Sequence, residues 1–197
     1  MVPLPYRVTS RREDLDDTVT LDIEPVGEGC PPPQPGEFNM LWAFGIGEAP
    51  ISLAGIEEGR LTHTIRRVGA VTTALAAAGP GDEIGLRGPF GVGWDLDSAA
   101  GGDVVIVAGG LGLAPVRPLV LQAIRERDRF GRIVVLVGSR APEGLLYRSE
   151  LESWRGRLDM DVEVTVDAAT PQWRGDVGVV TRLVDRIPFE PTATAFV

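Results

Sequence analysis

The sequence predicts an antiparallel β-barrel followed by a parallel-sheet α/β unit. Three observations carry this. The first half holds short, alternating apolar runs separated by glycine-rich turns, as in a small closed barrel. The second half alternates continuous apolar runs with helical segments, which is the pattern of a parallel sheet with crossovers. The two patterns meet at small residues, Ser98-Ala-Ala-Gly-Gly102. The expected domains are residues 1–98 and 103–197, each long enough to bury its own core at 44% hydrophobic content.

In the first domain Thr18–Glu24 alternates strictly, placing Val19, Leu21 and Ile23 on one face. A strand at Tyr6–Arg12 precedes it across an acidic turn, Glu13–Asp17. The proline run Gly29–Gly36 cannot join a ladder and reads as a surface loop. Further strands are expected at Phe38–Phe44, Pro50–Leu53, Arg60–Val68 and Asp82–Arg87. Between the last two, Ala74–Ala78 proposes a helix that Thr72 can cap.

The second domain opens on Asp103-Val-Val-Ile-Val-Ala-Gly-Gly-Leu-Gly-Leu-Ala-Pro115. Val104–Val107 reads as a strand buried on both faces. It breaks at Gly109-Gly110-x-Gly112, and Pro115 opens a helix running to about Asp128, at a position where its missing N–H costs nothing. Strand, glycine turn and helix N-terminus together make an anion site, because N–H groups converge and the helix dipole favours a phosphate. A plain βα turn is the alternative that glycine alone does not exclude. A strand at Ile133–Gly138, a helix at Tyr147–Trp154, a strand at Asp161–Val166, a helix at Val179–Ile187 and a strand beginning at Thr194 follow.

Composition narrows the function. A net charge of −9 with scattered arginines argues against a nucleic-acid surface. The single cysteine, Cys30, excludes an internal disulfide and a cysteine-ligated metal centre within these residues. No signal pattern and no membrane-spanning apolar run is present, so a soluble cytoplasmic protein is expected.

With these motifs in this order, the chain resembles the ferredoxin–NADP reductase superfamily over essentially its whole length. Within it, the chain is similar to the flavin (gamma) subunits of NAD(P)-linked nickel–iron hydrogenases and to the electron-transfer subunit of dihydroorotate dehydrogenase. Pro50-Ile51-Ser52 stands in the place of the superfamily's Arg-x-Tyr-Ser flavin signature, with Ala49 where the Arg would be and Ile51 for the Tyr. Phe38–Glu48 resembles the hydrogenase branch. His63-Thr64-Ile65-Arg66 resembles the strand beside the flavin ring, and Gly69-x-x-Thr72-Thr73 the turn whose N–H groups hold the diphosphate. Gly88–Gly93 resembles the loop closing the barrel.

Gly109–Pro115, and within it Gly110, Gly112, Leu113, Ala114 and Pro115, resembles the pyridine-nucleotide loop. Gly138-Ser139-Arg140 resembles the position meeting the adenine-side ribose. Leu145-Leu-Tyr147 and Trp173-x-Gly175-x-x-Gly178 resemble later motifs of the same branch.

The resemblance implies a flavoprotein using FAD and NAD(P)H, with NAD and NADP both open. It implies electron transfer to a one-electron carrier and redox partner subunits, a hydrogenase or another iron–sulfur protein. A stand-alone NAD(P)H:flavin or ferredoxin reductase is the alternative enzyme, and a flavin-less docking subunit the alternative of another class. Arg66 is the candidate to supply the charge missing at Ala49, with an ordinary exposed barrel arginine as its other reading. Hydride transfer to flavin needs no protein acid or base, so no catalytic residue is assigned, and His63, the only histidine, is given no chemical role. Ala193–Val197 reads as a strand of a C-terminally truncated domain. The family's iron–sulfur cluster is expected outside these residues, in a missing C-terminal segment or on a partner, and no metal ligand is assigned here.

Overall fold

The computed structural model describes residues 2–197, which form two compact units, the first ending at Trp94 and the second spanning Asp95–Val197. The division falls a few residues before the small-residue join. Residues 95–98 go with the second unit, where Asp95 accepts the Ser98 N–H to cap a 3-10 turn, Leu96–Ala99.

In the first unit six strands close a barrel: β1 (Leu4–Leu15), β2 (Thr18–Pro25), β3 (Phe38–Ala43), β4 (Gly47–Glu57), β5 (Arg60–Arg66) and β6 (Glu83–Phe90). Their order is β1-β2-β5-β4-β3-β6, and every pairing is antiparallel. The alternation read from sequence sends Leu21, Ile23, Leu41, Leu53, Ile65 and Leu86 inward, where all are fully buried. Helix α1 (Ala70–Ala77) adds Leu75 and Ala76 to the same core.

Two strands outrun their expected lengths. β1 carries on through Glu13 and Asp14, because these carboxylates meet arginines of their own strand: Arg11 donates to Glu13 at 2.9 Å and Arg12 to Asp14 at 2.8 Å. β4 is 11 residues long and passes through Pro50. A proline is tolerated there because the edge its nitrogen faces has no ladder to complete.

The second unit is a five-stranded parallel sheet, ordered β10-β9-β8-β7-β11. Its strands are β7 (Val104–Gly109), β8 (Ile133–Ser139), β9 (Asp161–Val166), β10 (Asp176–Val177) and β11 (Thr194–Phe196). Helix α2 (Leu113–Arg125) packs on β7 and β8, and α3 (Arg148–Arg155) on β9. Leu183, Val180, Val184 and Ile187 join Val105, Val134 and Leu136 in a second cluster.

Three expectations change here. Val180–Arg186 is a 3-10 helix, not an α-helix, in keeping with its β-branched residues and single buried anchor, Leu183. β10 lies within Trp173–Gly178, where no strand is expected from sequence. α2 begins at Leu113, so Pro115 sits inside its first turn rather than at its start. The start of the sheet is held by Asp103, whose buried carboxylate accepts the N–H groups of Arg132 at 2.7 Å and Glu190 at 2.9 Å. Those two hydrogen bonds hold its pKa below the ordinary carboxylate value. No helix among the described residues is long and apolar enough to cross a membrane.

Candidate functional site

The barrel carries a gap between β4 and β5. Their ladder joins Glu57 to Arg60 and ends at Leu53–His63. Beyond that point Gly47–Ser52 pairs with β3, and Thr64–Arg66 with β2. The direction of the main-chain groups follows from the antiparallel alternation. Leu53 N–H bonds Glu37 C=O on the β3 side, so Ser52, Pro50 and Glu48 point their polar groups the other way. Arg67 N–H bonds Asp17 C=O on the β2 side, so the main chains of Thr64 and Arg66 point towards β4. Two strand edges therefore face each other across a gap and present main-chain groups to whatever fills it.

Helix α1 starts close to β4, since a Cβ on Gly47 would lie 3.2 Å from Val71. Its first internal bond is Thr73 N–H to Gly69 C=O, which leaves the N–H groups of Ala70, Val71 and Thr72 ahead of the helical ladder. Gly69 is the N-cap, and a Cβ there would meet nothing within 4 Å. Thr72 is not the cap expected from sequence. It is the third helical residue, and its hydroxyl accepts the N–H groups of Val68 and Gly69, both at 3.1 Å. The first turn holds no acidic side chain, so its partial positive charge is available to an anion.

Several site residues named from sequence turn their side chains elsewhere. Ile51 and Ile65 lie in the barrel core. Thr64 is buried, its hydroxyl 2.6 Å from that of Thr20. His63 is wholly buried, which pushes its pKa down to about 4 and keeps the imidazole neutral. Arg66 does not stand free to replace the missing arginine: its Nε donates to Asp17 at 2.6 Å. The Thr18 hydroxyl and Arg66 hold the Asp17 carboxyl below its ordinary pKa. Ala49 packs against the core. What these strands can offer a ligand is main chain, together with Pro50 and Ser52 on the outer face.

In the second unit the parallel strands all end on one edge. There lie Gly110–Gly112 after β7, Arg140 after β8, Asp167 after β9 and Gly178 after β10, with Gly109 and Ser139 closing their strands. A Cβ on Gly109, Gly110 or Gly112 would meet nothing within 4 Å, and Gly110 has φ +53°. Open space above a glycine turn at a helix N-terminus suits a diphosphate. No acidic residue opposes it in the first turn of α2.

Leu113 and Ala114 are buried, and the Leu113 N–H is already taken by the Gly110 carbonyl in the 3-10 turn that leads into α2, so neither side chain reaches the open space. Gly138 meets a packing demand of its own: a Cβ there would lie 2.8 Å from Val180 Cβ. Ser139 is buried and its hydroxyl donates to Ala141 C=O at 2.9 Å, which shapes the turn. Arg140 is exposed and makes no ion pair among the described residues.

Sequence reading missed Asn39, a fully buried polar residue beside His63, although its parity with Leu41 and Ala43 marks it as inward-facing. It also missed Arg182, an exposed arginine whose side chain lies over Gly178 at the same sheet edge.

Residues 106–196 match the family described as "Oxidoreductase NAD-binding domain". The chain is 32% identical over 166 residues to "Sulfhydrogenase 1 subunit gamma" of Pyrococcus furiosus, covering 82% of this chain and 57% of that protein. It is 32% identical over 187 residues to the Methanopyrus kandleri protein named "Probable dihydroorotate dehydrogenase B (NAD(+)), electron transfer subunit", covering 93% and 66%. Among solved structures, "Ferredoxin reductase in carbazole 1,9a-dioxygenase" superposes with a TM-score of 0.77 at 21% identity, over 93% of this chain and 56% of that one. The cytochrome b5 reductase domain of Ulva prolifera nitrate reductase gives 0.78 at 16%, over 97% and 84%. These structural likenesses concern the fold. The chain spans 57% and 66% of the length of these two curated relatives.

Proposed function

We propose that this chain is a member of the ferredoxin–NADP reductase superfamily and the flavin-binding, NAD(P)H-oxidising part of an electron-transfer subunit within a multisubunit hydrogenase, a reading supported by its oxidoreductase NAD-binding domain and its likeness to a sulfhydrogenase gamma subunit. The observation that carries this is the pairing of two cradles. The first unit has a strand gap with a helix N-terminus beside it, and the second has an open glycine turn at the end of a parallel sheet.

The first cradle fits FAD. The parted strand edges at Pro50, Ser52 (through its N–H, its carbonyl being bonded to His63), Thr64 and Arg66 would lie along a polar heterocycle, while the Ala70, Val71 and Thr72 N–H groups of the α1 first turn, reached over Gly69 and flanked by the Thr73 hydroxyl, would hold the diphosphate. The missing arginine at position 49 is offset by the helix dipole. Arg66 can add charge by leaving Asp17, since an exposed ion pair contributes only about 0–1 kcal/mol. The second cradle fits a pyridine nucleotide. Gly110, Gly112 and the α2 N-terminus face its diphosphate and Arg140 its adenosine end, either stacking on adenine or pairing with a 2′-phosphate.

When bound, flavin supplies hydride acceptance and one-electron release, while this chain supplies position and access. The electrons leave to a one-electron carrier on partner residues outside this chain. A second reading, electron transfer to a dihydroorotate dehydrogenase, is favoured by the coverage of the Methanopyrus relative.

The test is cofactor analysis of the purified protein with anaerobic NADH and NADPH titrations. Bound FAD reduced by either nucleotide is expected. A protein that takes up neither FAD nor FMN refutes the flavin reading and favours a docking subunit.

A further inference from the structure

We propose that His63 is a positioning residue for the flavin cradle, fixing the Ile51–Ser52 main chain at the mouth of the β4–β5 gap from inside the barrel. This rests on the flavin reading above. His63 is the last β5 residue paired with β4, so its ring sits where the two strands part. Its Nδ1 lies 3.0 Å from Ser52 C=O, one of the groups that the strand alternation turns away from β3. Its Nε2 lies 3.3 Å from the Asn39 side-chain nitrogen. His63 and Asn39 are both fully buried.

The tautomer follows from these partners. A carbonyl only accepts, so Nδ1 carries the proton and donates it to Ser52 C=O. Nε2 then accepts from the Asn39 amide. The neutral ring this requires agrees with its burial. With the Nδ1 proton committed to Ser52 C=O, only the NH2 end of the Asn39 amide can meet Nε2, which leaves Asn39 Oδ1 without a hydrogen-bond partner among the described residues, on the side of Gly88, where a Cβ would lie 2.2 Å from it. One imidazole thus links β3, β4 and β5 at the fork, and supplies Ser52 C=O with a donor where the β4–β5 ladder has ended.

A merely space-filling histidine would be replaceable by an apolar residue of similar size. A positioning histidine would not be, because Ser52 C=O would lose its donor and the strand its register at the gap.

His63→Leu and His63→Gln variants of the purified protein, titrated with FAD and followed by flavin fluorescence and visible spectrum, separate the two. His63→Leu is expected to stay folded by circular dichroism while binding FAD about tenfold more weakly, with a changed spectrum. His63→Gln, which restores a donor, is expected to recover part of that loss. Wild-type affinity and spectrum in folded His63→Leu would overturn the proposal.

Should both variants unfold, the imidazole Nδ1 proton of the wild-type protein is followed by NMR during FAD addition. A shift at saturation supports the proposal and an unchanged resonance overturns it. A wild-type protein that takes up no FAD at all fails the flavin reading itself, and this proposal with it.

Discussion

Two glycines of the nucleotide edge should respond in opposite ways to the same methyl group. Gly112 sits at φ −60°, ψ −14°, ordinary right-handed backbone, and a Cβ there meets nothing within 4 Å. Alanine therefore costs no strain and removes freedom from the unfolded chain, stabilising by about 0.4–1 kcal/mol. Gly138 is fully enclosed, with Val180 Cβ 2.8 Å from where its methyl would go. That contact forces the 3-10 segment off β8 and costs about 1–3 kcal/mol.

Binding should invert the order. The Gly112 methyl projects into the space assigned to the diphosphate, so Gly112→Ala weakens NAD(P)H binding while raising the urea midpoint. Gly138→Ala lowers the midpoint while leaving the affinity of the folded fraction near wild type. Urea unfolding with nucleotide titration by fluorescence checks both. A Gly112→Ala protein with undiminished affinity, or a Gly138→Ala protein of wild-type stability, would refute the assignment of these glycines.

Asp103→Ala leaves the Arg132 and Glu190 N–H groups without their partner, at about 1–3 kcal/mol each, and should show as a large fall in urea midpoint. Asp103's own contribution is present above the ordinary carboxylate range and is lost as pH falls through its depressed pKa, so the variant should show less acid sensitivity at the lowest pH. His63 acts at higher pH. The unfolded chain takes up its proton near 6.5 and the folded one only near 4, so stability should fall by about 3 kcal/mol as pH drops across that window. In folded His63→Gln that part of the slope should vanish, as urea unfolding at successive pH values would show. Arg140→Ala should weaken NADPH more than NADH by steady-state KM, whereas equal losses would mean that the guanidinium does not read a 2′-phosphate. Gly69→Val should weaken FAD binding at unchanged barrel stability, because its side chain enters open space at the α1 N-terminus.

The alternation of β2 and the apolar run of β8 were legible because each strand's period states its burial directly. The glycine turn after β7 was legible because few residues permit φ +53° at Gly110. The β4–β5 gap was not. It depends on where a ladder between residues ten apart stops, and Leu53 and His63 carry no local mark of that. Sequence predicts a strand starting at Pro50, whereas β4 runs through it, since sequence does not show which edge lacks a partner. Gly138 looked like a ligand glycine because close approach of Val180 and close approach of a nucleotide ask for the same residue. Sequence assigns His63 no role, because hydride transfer needs no acid or base and nothing adjacent in the chain partners its ring. Its partners, Ser52 and Asn39, lie 11 and 24 residues away and meet it only once the barrel closes.

The central claim is that one chain holds a flavin in its barrel and a pyridine nucleotide on its parallel sheet, with electrons passing between them. An anaerobic titration of the FAD-loaded protein with NADH and NADPH, followed in the flavin's visible absorption band, measures this. Bleaching to an endpoint of one nucleotide per flavin is the predicted result, with the band restored by a one-electron acceptor. A bound flavin that dithionite reduces but neither nucleotide touches would contradict the account.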